Sequence, residues 1–163
     1  IKEMGKSLGK GIAIGVAIGV VILIGVLVLF YYIGSNQNTS DKTSPKELPL
    51  PEDMTSINSI TENILQSLNN NNYASFSKDF SDTLKNTITA HVFLSLKDLI
   101  SQTSGKYISK STPKLYKIEG FNVYDYPSEF EKESVFVAVS INPDSGKLEG
   151  ILFDSDGLRK SNK

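Results

Sequence analysis

The segment that most restricts what this chain can fold into is residues 12–33, which contain no charged or strongly polar side chain. The run reads IAIGVAIGVVILIGVLVLFYYI and is 22 residues long. A helix of this length would extend roughly 33 Å, enough to cross a hydrocarbon core of about 30 Å. Tyr31 and Tyr32 close the run, where amphipathic rings meet lipid headgroups. The sequence therefore predicts a transmembrane helix over residues 12–33, with the lipid bilayer around it.

Two other interpretations of this segment fit less well. A cleaved secretory signal has an apolar region of about 7–15 residues followed by small residues, whereas this run is longer and ends in aromatic rings. A pilin-like processing site would fall at Lys10 and Gly11, but the run is followed at once by a linker instead of a continuing helix. A pilin-like surface filament subunit is therefore only a minor alternative.

The charges on either side of the apolar run predict its orientation. Lys2, Lys6 and Lys10 precede it, whereas the basic residues after it stand farther away and beside acidic ones. Basic residues near a transmembrane helix favour the cytoplasmic side. Residues 1–11 are therefore predicted to be a short cytoplasmic tail of a single-pass protein of the cell membrane, with an extracytoplasmic C-terminal domain.

Small residues recur along the predicted membrane helix. Gly11, Gly15 and Gly19 are spaced four residues apart, and Ala13 and Ala17 form a neighbouring row. Such spacing lets two helix backbones approach closely in lipid. The sequence predicts helix–helix packing through these residues, either with another copy of the chain or with a different membrane subunit.

The composition excludes several classes of site. The chain has no cysteine and no tryptophan, and His91 is its only histidine. Disulfides, thiolate metal sites, cysteine nucleophiles and multi-histidine metal sites are therefore impossible. The formal net charge is −1, which gives no sign of a nucleic-acid partner.

A linker separates the apolar run from the rest of the chain. Residues 34–55 are rich in Ser, Asn and Thr, contain Pro45, Pro49 and Pro51, and show no apolar periodicity. This composition predicts a flexible stalk stiffened by proline. The domain that follows is predicted to cover residues 56–163.

Helical spacing opens this domain. A first helix is predicted from residue 56 to a break at 69–72, because apolar residues recur on one face, namely Ile57, Ile60, Ile64 and Leu68. A second helix is predicted over residues 73–85. A third begins after Thr89, a suitable N-cap, and ends near Gly105, a natural C-terminal cap.

The pattern then changes to the period of two that is typical of strands. Residues 106–118 and 121–126 are strand-like but interrupted by proline and glycine, and residues 134–141 alternate cleanly. Turn residues at 142–146 lead into a partner strand over 148–153. Three helices followed by about four strands predict an α+β fold, with the helices packed on one face of an antiparallel sheet.

The part of the chain from Ile57 onward resembles a known family. The features that carry the resemblance are the Phe76/Phe80 pair, a helix that ends in Gly105-Lys106-Tyr107, and a final strand that begins GKLEG at residue 146. It is similar to the domain of unknown function 3887, within the cystatin-like and nuclear-transport-factor-2-like α+β superfamily. The resemblance implies a curved sheet wrapped by helices, a cystatin-like roll, often with a hollow. It implies no reaction.

Two short motifs can be compared with catalytic or metal chemistry. His91 has no carboxylate or nucleophile at a spacing that argues for a shared site, so we interpret it as a surface histidine. Asp154-Ser155-Asp156-Gly157 resembles a fragment of a calcium loop, but the remaining oxygen ligands do not follow. We interpret that segment as an exposed turn.

Two charged stretches remain. Four lysines are interleaved with aromatic residues and are interpreted as a solvated strand face, with contact to anionic lipid or a partner subunit as the alternative; they are Lys106, Lys110, Lys114 and Lys117, beside Tyr107, Tyr116 and Phe121. Glu129, Glu131 and Glu133 lack a pattern that would fix a pair of acids in a cleft. They are interpreted as a solvated loop.

No residue pattern identifies a reaction, so the sequence predicts a protein that is not an enzyme and holds no cofactor or metal. The first hypothesis is an accessory or structural subunit of a larger membrane complex. The alternative is a membrane-tethered module in which the hollow of the sheet binds a small ligand. Six aromatic residues motivate the alternative: Tyr73, Phe76, Phe80, Phe93, Tyr107 and Phe121.

Overall fold

A computed structural model describes residues 45–161 of the chain. Its helices are α1 (Thr55–Asn69), α2 (Tyr73–Phe76), α3 (Asp82–Thr87), α4 (Ala90–Thr103) and α5 (Asp156–Ser161). Its strands are β1 (Glu47–Leu48), β2 (Tyr107–Lys110), β3 (Lys114–Ile118), β4 (Phe121–Phe130), β5 (Ser134–Ile141) and β6 (Leu148–Asp154). The predicted α+β class with an antiparallel sheet is confirmed. The described part of the chain has more elements than the three helices and four strands predicted.

All strand pairs in the described sheet are antiparallel, and their order is β1-β3-β4-β5-β6. The long strand β4 pairs with β5 along one edge. On its other edge it pairs first with β3 and then with β2. Strands β2 and β3 therefore follow one another along β4, separated by residues 111–113. The strand-like stretch predicted over residues 106–118, interrupted by proline, is thus two strands, β2 and β3, with a gap at Pro113 between them.

The gap faces a second proline, Pro127, in the middle of β4. The Ser111 N–H donates to the Pro127 carbonyl at 2.8 Å. In an antiparallel strand the N and O of one residue point to the same side, so the missing N–H of Pro127 also faces the gap. A proline is tolerated here because no regular partner strand needs its donor.

One face of the sheet, the inner face, is covered by the helices. On β5 the side chains of Val135, Val137 and Val139 point to this face and are completely buried, as the alternation predicted. They belong to one apolar core with helix residues such as Leu65 and Phe93. Burial of these side chains is the main favourable term that holds helices and sheet together.

The predicted second helix, over residues 73–85, is wrong: two short helices, α2 and α3, take its place. Residues 79–81 pair instead with the start of β6, since the Leu148 N–H donates to the Asp79 carbonyl and the Ser81 N–H to the Leu148 carbonyl, each at 2.9 Å. Ser81 then starts α3, because its Oγ accepts the Leu84 N–H at 3.1 Å. The hydrogen bonds between residues 79–81 and Leu148 thus interrupt the helix that the spacing of apolar residues predicted.

The third predicted helix is confirmed as α4. Thr89 is its N-cap, with the Val92 N–H directed at Thr89 Oγ1. Gly105 follows the helix with a φ of +82°, a conformation that glycine adopts without strain. An added Cβ would also lie 2.8 Å from Cβ of Glu131. Both the backbone conformation and the lack of space therefore favour glycine at this position.

The end of the segment predicted to be a stalk is part of the folded domain. Glu47 and Leu48 form β1 against β3, and Leu48, Leu50 and Met54 pack against the core. A two-residue strand carries no periodicity of its own, which is why composition alone assigned these residues to a linker.

Within residues 45–161, no helix is long and apolar enough to cross a membrane. The predicted membrane helix over residues 12–33 lies outside the described residues. So do the small residues predicted to pack in it, which are Gly11, Gly15, Gly19, Ala13 and Ala17.

Candidate functional site

The opposite face of the sheet, the outer face, has apolar residues of its own. Three buried apolar side chains of the described chain are not part of the core beneath the helices: Tyr116, Val123 and Leu152. Strand register places Tyr116 opposite Val123, and Leu152 opposite Ala138. These residues form a second, smaller apolar cluster on the outer face.

A recess of about 200 Å³ lies on this face, and we call it the outer recess. Val123, Ala138 and Leu152 line its apolar floor, and Ile118 and Phe121 form one wall. Pockets that bind small molecules are likewise concave and mostly apolar, with a few polar groups. The outer recess is therefore the candidate binding site of the domain.

The local sequence explains why the recess is open. In the middle of β5 the outer-facing residues are small, Ala138 and Ser140, and Ser140 pairs with Gly150 on β6. Glycine has no side chain, so this pair contributes little volume to the outer face. The larger Phe121 stands on the neighbouring strand, at the wall.

Polar groups also line the outer recess. They are Thr83, Ser140 and Glu149, with Glu119 in the turn beside Ile118 and Phe121. Ser81 Oγ donates to Glu149 Oε2 at 2.7 Å, and the same Oγ caps α3. The rim is therefore held in place by the residue that also starts a helix of the inner core.

Two carboxyl groups occur further along the outer face. Burial, with a smaller contribution from the charge of Asp154, raises the pKa of Asp125 to about 6, against an opposing effect of Lys114. Asp154 is buried and accepts hydrogen bonds from Arg159 Nε at 2.8 Å and from Arg159 Nη2. The two acids therefore differ: Asp154 has a cationic partner, whereas burial disfavours the charge of Asp125.

The Asp154–Gly157 segment is not the exposed turn predicted from sequence. Asp154 ends β6, Ser155 is buried, and α5 begins at Asp156. Ser155 Oγ accepts the Leu158 N–H at 3.1 Å and so caps this helix. The acidic residues that resemble a calcium loop are thus a strand end and the first turn of a helix, where negative charge is favourable.

The solvated loop predicted for Glu129, Glu131 and Glu133 is correct for only part of this stretch: residues 131–133 form the bend between β4 and β5, and Glu131 is exposed there. Glu129 is part of β4, and Glu131 Oε2 accepts the Lys106 N–H at 3.0 Å. Glu133 accepts hydrogen bonds from Ser104 Oγ at 2.6 Å and Ser155 Oγ at 2.7 Å. Sequence reasoning missed this role because the donors are distant in the chain.

Glu133 also accepts the N–H of Gly157 in the first turn of α5, at 3.1 Å. Partial burial acts to raise the pKa of Glu133, but the hydrogen bonds outweigh it and hold the pKa below its usual value. The carboxylate therefore joins the end of α4 to the start of α5, and its role is structural.

The four lysines do not form one solvated face. Lys110 Nζ lies 3.4 Å from Glu62 Oε2 and 5.5 Å from the ring centre of Tyr126, and its side chain is only 14% exposed. Lys114 pairs with Glu47 at 3.3 Å. Lys106, Lys114 and Lys117 are exposed, so the solvated interpretation holds for these three.

Lys110 belongs to a polar cluster between α1 and β2. Tyr107 Oη donates to Glu62 Oε2 at 2.8 Å, and Tyr126 Oη to Asn58 Oδ1 at 3.0 Å. Burial and the neighbouring carboxylate of Glu62 raise the pKa of Tyr107. A tyrosine kept protonated in this way acts as a hydrogen-bond donor, so the cluster fixes α1 on the sheet.

The aromatic residues proposed to line a hollow are mostly core. The rings of Phe76 and Phe93 have centroids 4.8 Å apart, and Phe76 and Phe80 are 5.2 Å apart. All three side chains are buried, so they fill the space between helices and sheet. Only Phe121 of the predicted set lies on the outer face, at the outer recess.

His91 is exposed in the first turn of α4, in agreement with its interpretation as a surface histidine. Among the described residues, no group of three or more His, Cys, Asp or Glu side chains could hold a metal ion.

The fold and the recess define a small α+β protein with helices on one face of an antiparallel sheet and an apolar recess on the other. A family model described as protein of unknown function (DUF3887) matches residues 61–151. Because the match covers more than half of the chain, the chain belongs to this family, as the resemblance predicted. Comparison with curated proteins and with solved structures found no match.

Proposed function

We propose that this chain is a non-catalytic, single-pass membrane protein whose α+β domain binds an apolar ligand through the outer recess. The observation that carries the proposal is the apolar recess of about 200 Å³ formed by β3–β6. The apolar segment over residues 12–33 supports the anchor, and the lysines before it support an extracytoplasmic domain. Helices around one face of the sheet also favour placing the fold with the cystatin-like rolls.

The binding site proposed here lies on a different face of the sheet from the hollow that the sequence hypothesis expected. The inner face, where a hollow was expected, contains interlocking aromatic rings. The outer face offers a concave, mostly apolar surface with a few polar groups. A ligand there would remove the lining of the recess from water, which is the main source of apolar binding energy.

Thermal unfolding of the full chain in mild detergent, with a panel of apolar small molecules, tests this function. A ligand present at about 100 times its Kd stabilises the folded state by about 2.7 kcal/mol, so a binder should raise Tm by several degrees. Ser140→Phe should abolish the response by filling the recess. Ser109→Phe, the same change at an exposed site on β2, should retain it.

No shift of the wild-type chain with any compound would contradict recess binding. An equal shift for wild type and Ser140→Phe would place the ligand elsewhere.

A second function is supported by the spacing of Gly11, Gly15 and Gly19, which favours close helix packing in lipid. On this proposal the chain is an accessory subunit of a larger membrane complex. Mass spectrometry of the intact species from native membranes should then find other subunits in fixed stoichiometry. Gly15→Leu should release them and Val16→Leu should not. A chain that is monomeric in both variants and in the wild type would exclude this role.

A further inference from the structure

The size of the outer recess restricts what it can bind. Its volume of about 200 Å³ lies below the roughly 300–1,000 Å³ of pockets that enclose a drug-sized molecule. Its lining is mostly apolar, with Thr83, Glu119, Ser140 and Glu149 as its polar members. A recess of this size and lining suits one end of a longer apolar chain whose remainder stays outside.

The polypeptide enters the domain at the wall of this recess. Strand β1 runs antiparallel to β3, with Glu47 opposite Tyr116 and Leu48 opposite Leu115. The same register, continued two residues toward the N-terminus, brings Pro45 level with Ile118, which lines the recess. The described part of the chain therefore begins beside the recess.

Residues 34–44 connect this point to the apolar segment that is proposed to be the membrane anchor. Eleven residues can extend at most about 40 Å, and a flexible chain of that length spans roughly 18 Å on average. With the proposed anchor, the recess would therefore stay within about 40 Å of the bilayer surface. Such a tether raises the effective concentration of lipid molecules near the recess without any additional contact.

An exposed aromatic ring also lies on the outer face, beyond the recess. Phe136 lies two residues from Ala138 on β5 and points to the same face, and it is 50% exposed. On the described part of this face, Asp125 stands opposite Ala138 and Asp154 opposite Phe136, so this exposed ring lies beside acidic groups and apart from the recess.

We propose that the outer recess binds the end of an acyl chain from a lipid of the bilayer in which the protein is anchored. The inference rests on the proposed anchor and recess binding, and it adds the class of ligand. The lipid tail is already in apolar surroundings, so its own transfer contributes little to the free energy of binding. The favourable contribution comes from the recess lining, which loses its contact with water. A long chain also meets the size limit, since only its end must enter.

A single tryptophan can report the contact, because the chain contains none. Phe121→Trp places an indole at the wall of the recess, and Leu94→Trp places one on α4, at a side chain that is 45% exposed on the helix side of the domain. Each full-length variant is reconstituted in nanodiscs of phosphatidylcholine with brominated or unbrominated acyl chains. Bromine quenches only an indole that it touches.

The expected result is that brominated lipid reduces the fluorescence of Trp introduced at 121 by at least half and leaves that at 94 unchanged. Adding Ser140→Phe to Phe121→Trp should restore the fluorescence, because the filled recess no longer admits a tail. Ser109→Phe in the same background should leave the quenching intact, which controls for an added ring that disturbs the fold.

Three results would overturn the inference: no quenching at 121, equal quenching at 121 and 94, or quenching that survives Ser140→Phe. The last would mean that the outer face touches the bilayer without admitting a tail. A thermal response to soluble apolar compounds alongside no quenching would leave recess binding standing and exclude only the lipid. Failure of both experiments would remove the proposed function as well.

Discussion

The inner and outer faces of one sheet use alternate residues of the same strands for different purposes. On β5, Val137 and Val139 are completely buried beneath the helices, whereas Phe136 on the outer side is half exposed and Ala138 lines a recess. The inner face is a continuous core that joins helices to strands. The outer face combines a small apolar cluster with acidic groups and open space. Substitutions on the inner face should therefore affect mainly stability, and those in the outer recess mainly the proposed ligand binding.

The largest expected effect comes from emptying the inner face. Phe93 is 1% exposed and packs against the rings of Tyr73 and Phe76, so Phe93→Ala should lower the free energy of unfolding by about 3–5 kcal/mol. Phe136→Ala on the outer face should cost less than about 1 kcal/mol. Urea denaturation of the full chain in mild detergent measures both. Equal losses would refute the contrast between the faces.

A smaller loss of stability is expected from weakening the hydrogen bonds that hold α5 at the end of the inner core. Glu133→Gln weakens hydrogen bonds that hold α5, whose Leu158 belongs to the core, and should cost about 2–3 kcal/mol at neutral pH. Because the folded-state pKa of Glu133 is lowered, this stability is present above the usual carboxyl pKa and disappears as pH falls through the folded pKa.

Glu129→Gln is the matched control, since Glu129 is exposed on the neighbouring strand and should change stability by less than about 0.5 kcal/mol. Urea titrations at neutral and acidic pH provide the comparison. A penalty for Glu133→Gln that stays constant into acid would show that its carboxylate charge is not what holds the helix.

On the outer face a substitution should stabilise the protein. The pKa of Asp125 is raised to about 6 from 3.8, so the folded state binds its proton more tightly than the unfolded state does. Its charge therefore opposes folding above about pH 6, and this penalty vanishes below about pH 4. Asp125→Asn should raise the free energy of unfolding by about 1–2 kcal/mol at pH 7–8 and leave it unchanged at pH 4.

Asp144→Asn in the exposed turn before β6 should show no such pH-dependent gain. A stability curve of Asp125→Asn parallel to that of the wild type between pH 4 and pH 8 would exclude burial of this charge on the outer face.

The smallest effect is expected where the two faces meet. Ser81 caps α3, whose Leu84 is in the core, and also binds Glu149 beside the outer recess. Ser81→Ala should cost about 1 kcal/mol and also weaken the response to apolar ligands. Ser109→Ala, at an exposed site, should alter neither. Loss of stability with unchanged ligand binding would show that the rim does not depend on this contact.

Elements with strong local signals were predictable from sequence. The alternation in β5, the turn before β6 and the Thr89 and Gly105 ends of α4 all follow from neighbouring residues. The inner-face alternation of Tyr124, Tyr126, Ser128 and Phe130 was also present. Pro127 concealed it, because a central proline normally argues against a strand.

The candidate site could not be found in the same way. The outer recess depends on which residues strand pairing brings together, above all Ser140 and Gly150, and register is not visible in a single strand. Sequence spacing favoured the aromatic residues, most of which are core. The roles of Glu133 and of residues 79–81 likewise depend on partners far away in the chain.

The gap between β2 and β3 affects how copies of this domain can meet. A long uninterrupted edge strand is a template for pairing with another chain, and proteins protect against this with short or broken edges. Here the edge is divided at residues 111–113, and Asn69 bonds the backbone N–H and carbonyl of Tyr107 at the start of β2. On this side of the sheet the domain thus offers only short, interrupted runs of unpaired amides, which disfavours edge-to-edge pairing there, whereas β6 forms the opposite edge.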